Sequence, residues 1–272
     1  MARLPLRDDA GFLSVEALVA GHPVRLMLDT GSDAGLVLPQ AVRWLGLAAA
    51  RGAPVRLHGT GGSLSAGLVR LPDLVLGALH LGDVTVPVGD LPGAPSLLPP
   101  VIGFLGGDVL SRFDLDIDIA HAMLSLYRVA LPSLACAPPP AWSGATTSVP
   151  LERQGVRLSL PARLDGHAIT ALLDTGARSR VVSERTVLGF GITSAQLAVD
   201  AGGLTSGVDL REQPYHWHRF ASLTVAGGTV LRPVLTVAPL TGPFDMLLGT
   251  DWLAGQRVWI SYSTDRLFLK PE

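Results

Sequence analysis

The chain has 272 residues and a formal net charge of −2, with 48% hydrophobic and only 16% charged residues. This composition excludes a disordered chain and supplies enough apolar surface for one large domain or two of ordinary size. The near-neutral balance, with its charged residues scattered singly, offers no basic patch for nucleic acid or an anionic membrane. We therefore expect no nucleic-acid partner.

The chain as given is predicted to be soluble. No apolar stretch approaches the roughly 20 residues that a transmembrane helix needs, and the N-terminus lacks the apolar core of a signal peptide. A bacterial periplasmic or exported location fits if a leader was removed, so the compartment stays open. Cys136 is the single cysteine, which excludes an internal disulfide and a cysteine-based zinc site.

Short alternating segments dominate the first half of the chain and predict β-structure. In chain order we predict a hairpin at 12–29, a helix at 38–47, a hairpin with a glycine-rich tip at 54–71, a strand pair at 74–88 and a short helix at 107–113. Glycine supplies the turn conformation between several of these strands. The first half is thus expected to be mostly β with few short helices.

A proline-rich segment at 131–148 separates the two halves. Its four prolines exclude a central strand or a helix interior. We predict an N-terminal lobe at 1–130, a linker at 131–148 and a C-terminal lobe at 149–272. The second half repeats the two helix-like segments, at 182–192 and 250–256.

The halves share two sequence blocks in the same order. GHPVRLMLDTGS at 21–32 returns as GHAITALLDTGA at 166–177, and LGGDVL at 105–110 returns as LGTDWL at 248–253. Repeats at matched spacing are the signature of a duplicated structural unit. The sequence therefore predicts two homologous lobes produced by internal duplication.

Each half ends an apolar strand with Asp-Thr-Gly, and this motif indicates the chemistry. A single Asp-Thr-Gly is more often a plain strand-to-turn connection, but a pseudo-two-fold axis would bring Asp29 and Asp174 together around one water. Two carboxyl groups that close share a proton. One can then activate the water while the other donates to a carbonyl, which hydrolyses an amide without a metal or other cofactor.

These motifs resemble the bacterial retropepsin-like aspartyl protease family, with two such domains fused in one chain as in pepsin. The resemblance is carried by MLDTGS with FLGGDVL and by LLDTGA with LLGTDWL. It implies the acid-protease fold, in which two β-barrel-like lobes with few short helices flank a catalytic cleft. It also implies an aspartic endopeptidase that cuts peptide or protein substrates, with apolar residues preferred around the scissile bond. A monomer suffices, because one chain holds both aspartates.

The resemblance also implies roles for residues around the two motifs. Asp29 and Asp174 would be catalytic, the two threonines would form an interlocked hydroxyl pair, and the two later glycines would lie against the motif loops. The expected supporting residues are Thr30, Gly31, Ser32, Thr175, Gly176, Ala177, Gly106 and Gly249. Asp108 and Asp251 are interpreted as structural caps of the short helices that follow.

Family members close a β-hairpin flap over the substrate, and each half has a glycine-rich candidate. The first-half candidates are His58, Gly59, Thr60, Gly61 and Gly62. The second-half candidates are Ala201, Gly202, Gly203 and Leu204, with the hairpin centred on the glycine pair. Neither predicted hairpin contains the tyrosine of pepsin-like flaps, and His58 is interpreted as a solvent-facing strand residue.

Ser32 follows the first motif, whereas Ala177 follows the second. A hydroxyl beside a carboxylate stabilises its charged form. We therefore expect Asp29 to be the more readily ionised partner and Asp174 to hold the shared proton.

Several other residues have plainer interpretations. His22 and His167 are interpreted as turn residues retained since the duplication, and His216 with His218 as a strand at the cleft edge without a third metal ligand. Trp217 has no aromatic counterpart in the first half. An alternative function also remains open, in which the chain is a non-catalytic pepsin-like module that binds peptides or proteins.

Overall fold

The computed structural model describes residues 1–59, 62–91, 93–128, 142–206 and 210–271. In these ranges the chain is mostly β-strand with five short helices, arranged as two similar sheet-rich lobes. This confirms the predicted fold class. None of the helices in this described part is long and apolar enough to cross a bilayer.

The first half supplies eleven of the strands and two of the helices in the described ranges. The strands are β1 (Ala2–Asp9), β2 (Phe12–Val19), β3 (His22–Leu28), β4 (Leu36–Val37), β5 (Val55–Gly59), β6 (Gly62–Ala66), β7 (Leu68–Leu76), β8 (Leu79–Pro87), β9 (Val101–Leu105), β10 (Phe113–Asp118) and β11 (Met123–Arg128). The helices are α1 (Pro39–Leu45) and α2 (Gly107–Leu110). Every hairpin and helix predicted for this half is present, with shorter helices than the pattern indicated.

The second half supplies the remaining elements. Its strands are β12 (Thr147–Pro150), β13 (Glu152–Gln154), β14 (Arg157–Leu164), β15 (His167–Leu173), β16 (Val181–Ser183), β17 (Gly202–Ser206), β18 (Glu212–Arg219), β19 (Ser222–Val225), β20 (Gly228–Leu231), β21 (Val234–Ala238), β22 (Met246–Leu248), β23 (Gln256–Ser261) and β24 (Arg266–Pro271). Its helices are α3 (Glu184–Gly189), α4 (Ser194–Leu197) and α5 (Thr250–Leu253). The sequence pattern does not predict α4. Thr193 caps the N-terminus of this helix and forms a capping box with Gln196.

One sheet runs through both halves of the molecule. Its strands follow the order β12-β24-β23-β10-β11-β1, and β10 pairs with β23 across the boundary between the halves. The apolar pairs Leu115↔Ile260 and Ile117↔Val258 are buried in this contact. The lobes are therefore joined at their base by backbone hydrogen bonds and apolar packing as well as by the chain.

Each lobe repeats the same arrangement of three strands around its Asp-Thr-Gly motif. β3 runs parallel to β9, with β4 antiparallel on the other side of β9. β15 runs parallel to β22, with β16 antiparallel on the other side of β22. The last five residues of β3 and the last three of β15 are buried. Buried parallel strands hold the two motif loops at equivalent places, facing one another.

Most of the predicted linker, at 131–141, lies outside the described residues. β12 begins at Thr147, inside the predicted linker, and pairs antiparallel with β24. The exact lobe boundaries remain a prediction.

Candidate active site

Asp29 and Asp174 each follow the strand that leads into its motif. The backbone N–H of Asp29 donates to Leu105 O at 3.0 Å, and that of Asp174 donates to Leu248 O at 3.1 Å. These bonds extend the parallel pairings β3–β9 and β15–β22 by one residue. Each aspartate is thus fixed at the carboxyl end of a buried strand pair.

The glycines of the two motifs bring the aspartates together across the lobe boundary. A Cβ on Gly31 would lie 2.5 Å from Cγ of Asp174, and a Cβ on Gly176 would lie 2.5 Å from Cγ of Asp29. Each carboxyl group therefore rests on the bare Cα of the opposite loop. Only glycine permits this approach, since any side chain would overlap the carboxylate.

The motif loops donate the same hydrogen bonds to each carboxylate. Asp29 Oδ1 accepts from the backbone N–H groups of Gly31 and Ser32, both at 3.0 Å. Asp174 Oδ1 accepts from Gly176 at 2.9 Å and from Ala177 at 3.1 Å. One oxygen of each carboxyl is thereby oriented by its own loop.

The two motif threonines interlock beneath the aspartates, and both are buried. The Thr30 N–H donates to Thr175 Oγ1 at 3.1 Å, and the Thr175 N–H donates to Thr30 Oγ1 at 3.1 Å. Thr30 Oγ1 in turn donates to Leu173 O at 2.8 Å. These bonds satisfy buried backbone groups of one lobe with side chains of the other, so they fix the relative position of the two loops.

Gly106 and Gly249 lie against the segments that follow the motifs. A Cβ on Gly106 would lie 2.1 Å from the carbonyl carbon of Ala34, and a Cβ on Gly249 would lie 2.4 Å from Ser179 O. The helices that begin after these glycines also donate to the loops, from Gly107 N to Ser32 O and from Thr250 N to Ala177 O, both at 2.9 Å. The predicted contact with the motif loop is present in both halves.

Burial raises the pKa of both motif carboxyl groups. The pKa of Asp29 is raised well above its ordinary value, first by burial and then by the charge of Asp174. Burial also raises the pKa of Asp174, but hydrogen bonds from Gly176 and Ala177 and the side chain of Asp29 lower it. Two carboxyl groups this close and this buried are expected to share one proton and to titrate as a pair.

The prediction that Asp29 is the more readily ionised partner required the Ser32 hydroxyl to bond the Asp29 carboxylate, and the structure does not show that bond. The Ser32 hydroxyl donates to Ala34 O at 2.8 Å and so is committed to a backbone carbonyl. Ser32 supports the Asp29 carboxylate through its backbone N–H, and Ala177 does the same for Asp174. The chemical difference between serine and alanine is therefore not transmitted to the carboxyl groups.

Asp108 and Asp251 are structural, but neither caps a helix as predicted. The N-caps of α2 and α5 are Gly106 and Gly249, without a side-chain cap bond. Asp108 Oδ1 accepts from the Val109 N–H within α2 at 3.0 Å and from the Gly35 N–H at 2.9 Å, which ties α2 to the segment after the first motif. Asp251 pairs with Arg180 at 2.9 Å.

The first flap candidate is a separate two-stranded hairpin. β5 pairs with β6, His58 is opposite Ser63, and Gly59 is opposite Gly62. Thr60 and Gly61 lie outside the described residues.

The second flap candidate is a hairpin centred further along the chain than predicted. Gly202, Gly203 and Leu204 lie in its first strand, β17, with Ala201 just before it, and the connection to β18 spans residues 207–211. Leu210, in that connection, lines a cavity of about 380 Å³ together with first-half residues of α1 and of the loop after β8. The hairpin thus reaches from one lobe to the other.

The shift in the second hairpin brings in a tyrosine that sequence reasoning missed. Tyr215 lies in β18 opposite Gly203, and its ring contacts Trp217 with centroids 5.5 Å apart. The glycine pair suggested a tip, whereas the register puts it in a strand. Because the predicted hairpin was centred on the glycine pair, it did not extend to Tyr215, which lies in the second strand of the observed hairpin.

His22 and His167 are the first residues of β3 and β15 rather than turn residues as predicted, and His218 lies in β18. The His22 ring contacts Trp44 at 6.0 Å, and His167 stacks on Phe190 at 4.2 Å. His218 Nδ1 lies 2.6 Å from Asp200 Oδ2. In the described ranges, no three His, Cys, Asp or Glu residues are placed to hold a metal ion.

Comparison with known proteins agrees with this geometry. No curated protein matches the chain. A family model described as aspartyl protease matches it twice, over residues 15–109 and 160–252, which include both motifs and together make up more than half of the chain. The chain belongs to the aspartyl protease family, as two retropepsin-like domains in one polypeptide.

Proposed function

We propose that this protein is an aspartic endopeptidase that hydrolyses peptide bonds with a water held between Asp29 and Asp174. The observation that carries the proposal is the reciprocal contact of each carboxyl group with the glycine of the opposite motif. It brings together two buried acids that share a proton, which is the chemical requirement of this mechanism.

The two carboxyl groups take different roles in the reaction. The carboxyl group that is ionised accepts a proton from the water as the water oxygen attacks the scissile carbonyl carbon. The other carboxyl group, which is protonated, donates to the carbonyl oxygen, so a neutral tetrahedral diol forms. When the diol collapses, the C–N bond breaks, the leaving nitrogen takes the proton that the first carboxyl group gained, and one diol hydroxyl returns its proton to the second carboxyl group.

The buried surroundings support this chemistry. Thr30 donates its hydroxyl to Leu173 O, and each threonine hydroxyl accepts from the backbone N–H of the other threonine, so the pair holds the two loops in place. One oxygen of each carboxyl is oriented by backbone N–H groups, so little reorganisation is needed during the reaction. Apolar residues around the scissile bond would complete the exclusion of water.

The alternative is a binding module that holds peptides without cutting them. A binder needs a cleft, but it has no need of two carboxyl groups in contact with opposite glycines. Burial raises the free-energy cost of ionising both acids. Acids in such surroundings are found mostly at sites that use their altered pKa values for catalysis. The arrangement therefore favours the enzyme.

Cleavage of a mixed peptide library from about pH 3 to 7 tests the proposal. Wild type is compared with Asp29→Asn and Asp174→Asn, and with wild type plus pepstatin, a transition-state analogue. We expect wild type to cut between apolar residues and each variant to lose at least about 10³-fold in kcat/KM.

Circular dichroism and thermal unfolding of the three proteins control for loss of fold. A folded wild type that cuts nothing at any pH supports the binding module instead. Full activity in either single variant contradicts the shared-proton mechanism.

A further inference from the structure

Two aromatic side chains on β18, the half-buried Tyr215 and the exposed Trp217, lie side by side, and we call this pair the aromatic shelf. Trp217 is 48% exposed although it lies in the middle of a strand. Its ring contacts that of Tyr215 at 5.5 Å, and Tyr215 stands opposite Gly203. A Cβ on Gly203 would lie 2.9 Å from the Tyr215 hydroxyl, so glycine leaves room for this ring over the backbone of β17.

The aromatic shelf lies on the face of β18 that is turned away from the lobe core. Successive side chains of a strand point to opposite faces. His216 and His218 stand opposite Val237 and Leu235, which are both buried in the core. Trp217 therefore belongs to the other face.

That face continues toward the second motif. Trp217 is directly opposite Thr236 in β21, and the Thr236 hydroxyl lies 3.3 Å from the Ser179 hydroxyl. Ser179 lies five positions after Asp174, in the segment that contacts Gly249. Directly opposed strand residues have Cβ atoms about 5 Å apart. A short path of contacts thus joins the aromatic shelf to the loop of Asp174.

The equivalent place in the first lobe is built differently. Val37 forms a parallel bridge with Val88, and Val182 forms the equivalent parallel bridge with Val237. The residue before Val88 pairs with Leu68, whereas the residue before Val237 pairs with Trp217, so Leu68 and Trp217 are equivalent. Leu68 is partly buried, and the backbone of Gly52 packs against it. Of these two equivalent positions, only the one in the second lobe carries an exposed aromatic side chain.

Resting on the proposed function, we propose that the aromatic shelf is a specificity site for a bulky aromatic or large apolar side chain of the substrate peptide. Aromatic rings supply a large apolar contact with a preferred geometry for another ring. Because Leu68 replaces the aromatic residue in the first lobe, the preference falls at one substrate position and not at its mirror position across the scissile bond.

The test is a set of peptides that differ only in the side chain at one position at a time, with Ala, Leu, Phe or Trp. We expect wild type to favour Phe or Trp over Ala at one position by about tenfold in kcat/KM. Trp217→Leu, which copies the first lobe, should abolish most of this ratio, because kcat/KM should fall more for the Phe and Trp peptides than for the Ala peptide.

Trp44→Leu is the matched control, because Trp44 is a similarly exposed tryptophan, at 53%, on α1. It should keep the wild-type ratio at every position. A Trp217→Leu protein that keeps the ratio, or that loses the same factor for all peptides, overturns the specificity site.

A binding measurement separates this inference from the proposed function. Calorimetry of the same peptides with the Asp29→Asn/Asp174→Asn protein should show the aromatic preference, and adding Trp217→Leu should remove it. Selective binding by a wild type that cuts nothing would refute the endopeptidase and retain the aromatic shelf. Cleavage or binding without any dependence on residue 217, or no binding of any peptide, would refute the shelf.

Discussion

The two lobes agree closely where they meet and differ away from that contact. Around the aspartates, the corresponding hydrogen bonds of the two loops differ by about 0.1 Å, and the crossed glycine approaches are both 2.5 Å. At the next layer the chemistry diverges. The close symmetry is confined to the contact between the two carboxyl groups, which is where the proposed mechanism needs two equivalent acids.

The lobe boundary beside the motifs illustrates the divergence. Arg157 pairs with Asp33 at 3.0 Å on one side and lies over the Phe244 ring. At the equivalent place on the other side, Arg178 donates to Ala10 O at 2.7 Å and lies over the Phe12 ring. An arginine lies over an aromatic ring on both sides. Both arginines belong to the second half, but Arg157 comes from β14 and Arg178 from the loop of the second motif.

The largest expected effect comes from breaking the symmetric contact. Gly31→Ala and Gly176→Ala each place a methyl group within 2.8 Å of the opposite carboxyl oxygens, so the loops must move apart. We expect kcat/KM to fall at least about 100-fold in each, since a displacement near 1 Å at a catalytic centre costs that much. Peptide cleavage assays measure this.

Gly255→Ala is the control, because a Cβ there meets nothing within 4 Å. It should keep wild-type activity. Normal activity in one of the two motif variants would show that the lobes do not depend on each other equally.

The next effect concerns the base of the lobes. Arg257 contacts Asp116 through two hydrogen bonds, of 2.9 and 2.7 Å, and the Asp116 side chain is only 1% exposed. Arg257→Met leaves this carboxylate buried and unpaired, so we expect the free energy of unfolding to fall by about 3 kcal/mol. Urea unfolding measures it.

The exposed pair Arg70–Asp83 provides the comparison, with side-chain exposures of 58% and 52%. Arg70→Met should change the free energy of unfolding by less than about 1 kcal/mol. Equal losses in the two variants would mean that the pair between the lobes is worth no more than a surface pair.

A smaller effect is expected beneath the aspartates. Thr30→Val keeps the shape of the side chain but removes the acceptor of the Thr175 N–H. A buried N–H without a partner costs about 1–3 kcal/mol, so the free energy of unfolding should fall by that amount. Thr30→Ser keeps the hydroxyl and should retain most of the stability. A stable, fully active Thr30→Val protein would contradict the interlock.

The smallest effect is expected at Ser32. Its hydroxyl bonds Ala34 O rather than the carboxylate, so Ser32→Ala with Ala177→Ser should move the pKa values of the pH–rate profile very little. The change in transition-state free energy should stay within about 0.5 kcal/mol. A clear shift of either limb of the profile would restore the original idea that the serine hydroxyl tunes Asp29.

The internal repeat and the alternation of apolar residues were enough to predict the positions of the two motifs and of the hairpins. The duplicated motifs placed Asp29 and Asp174 in equivalent loops, and alternation located the hairpins. Side-chain direction and strand register were beyond it, because tertiary contacts decide them. The Ser32 hydroxyl donates to the Ala34 carbonyl, and Asp108 accepts from the Gly35 N–H. Gly203 lies in a strand and pairs with Tyr215.

The pairing of Arg257 with Asp116 could not be predicted from the sequence either. The two residues are 141 positions apart and belong to different halves, and no repeat relates them. Only the joining of β10 to β23 brings them together.

The pH dependence of kcat/KM for wild type with its best peptide tests the central claim most directly. A shared proton predicts a bell-shaped profile, since activity is lost when the ionised acid gains a proton and again when the shared proton leaves. Because burial and the charge of Asp174 raise the pKa of Asp29 from its ordinary 3.8, the alkaline limb should lie well above that value. A profile with a single limb, or activity that persists without an alkaline limb, would contradict the two-carboxyl account.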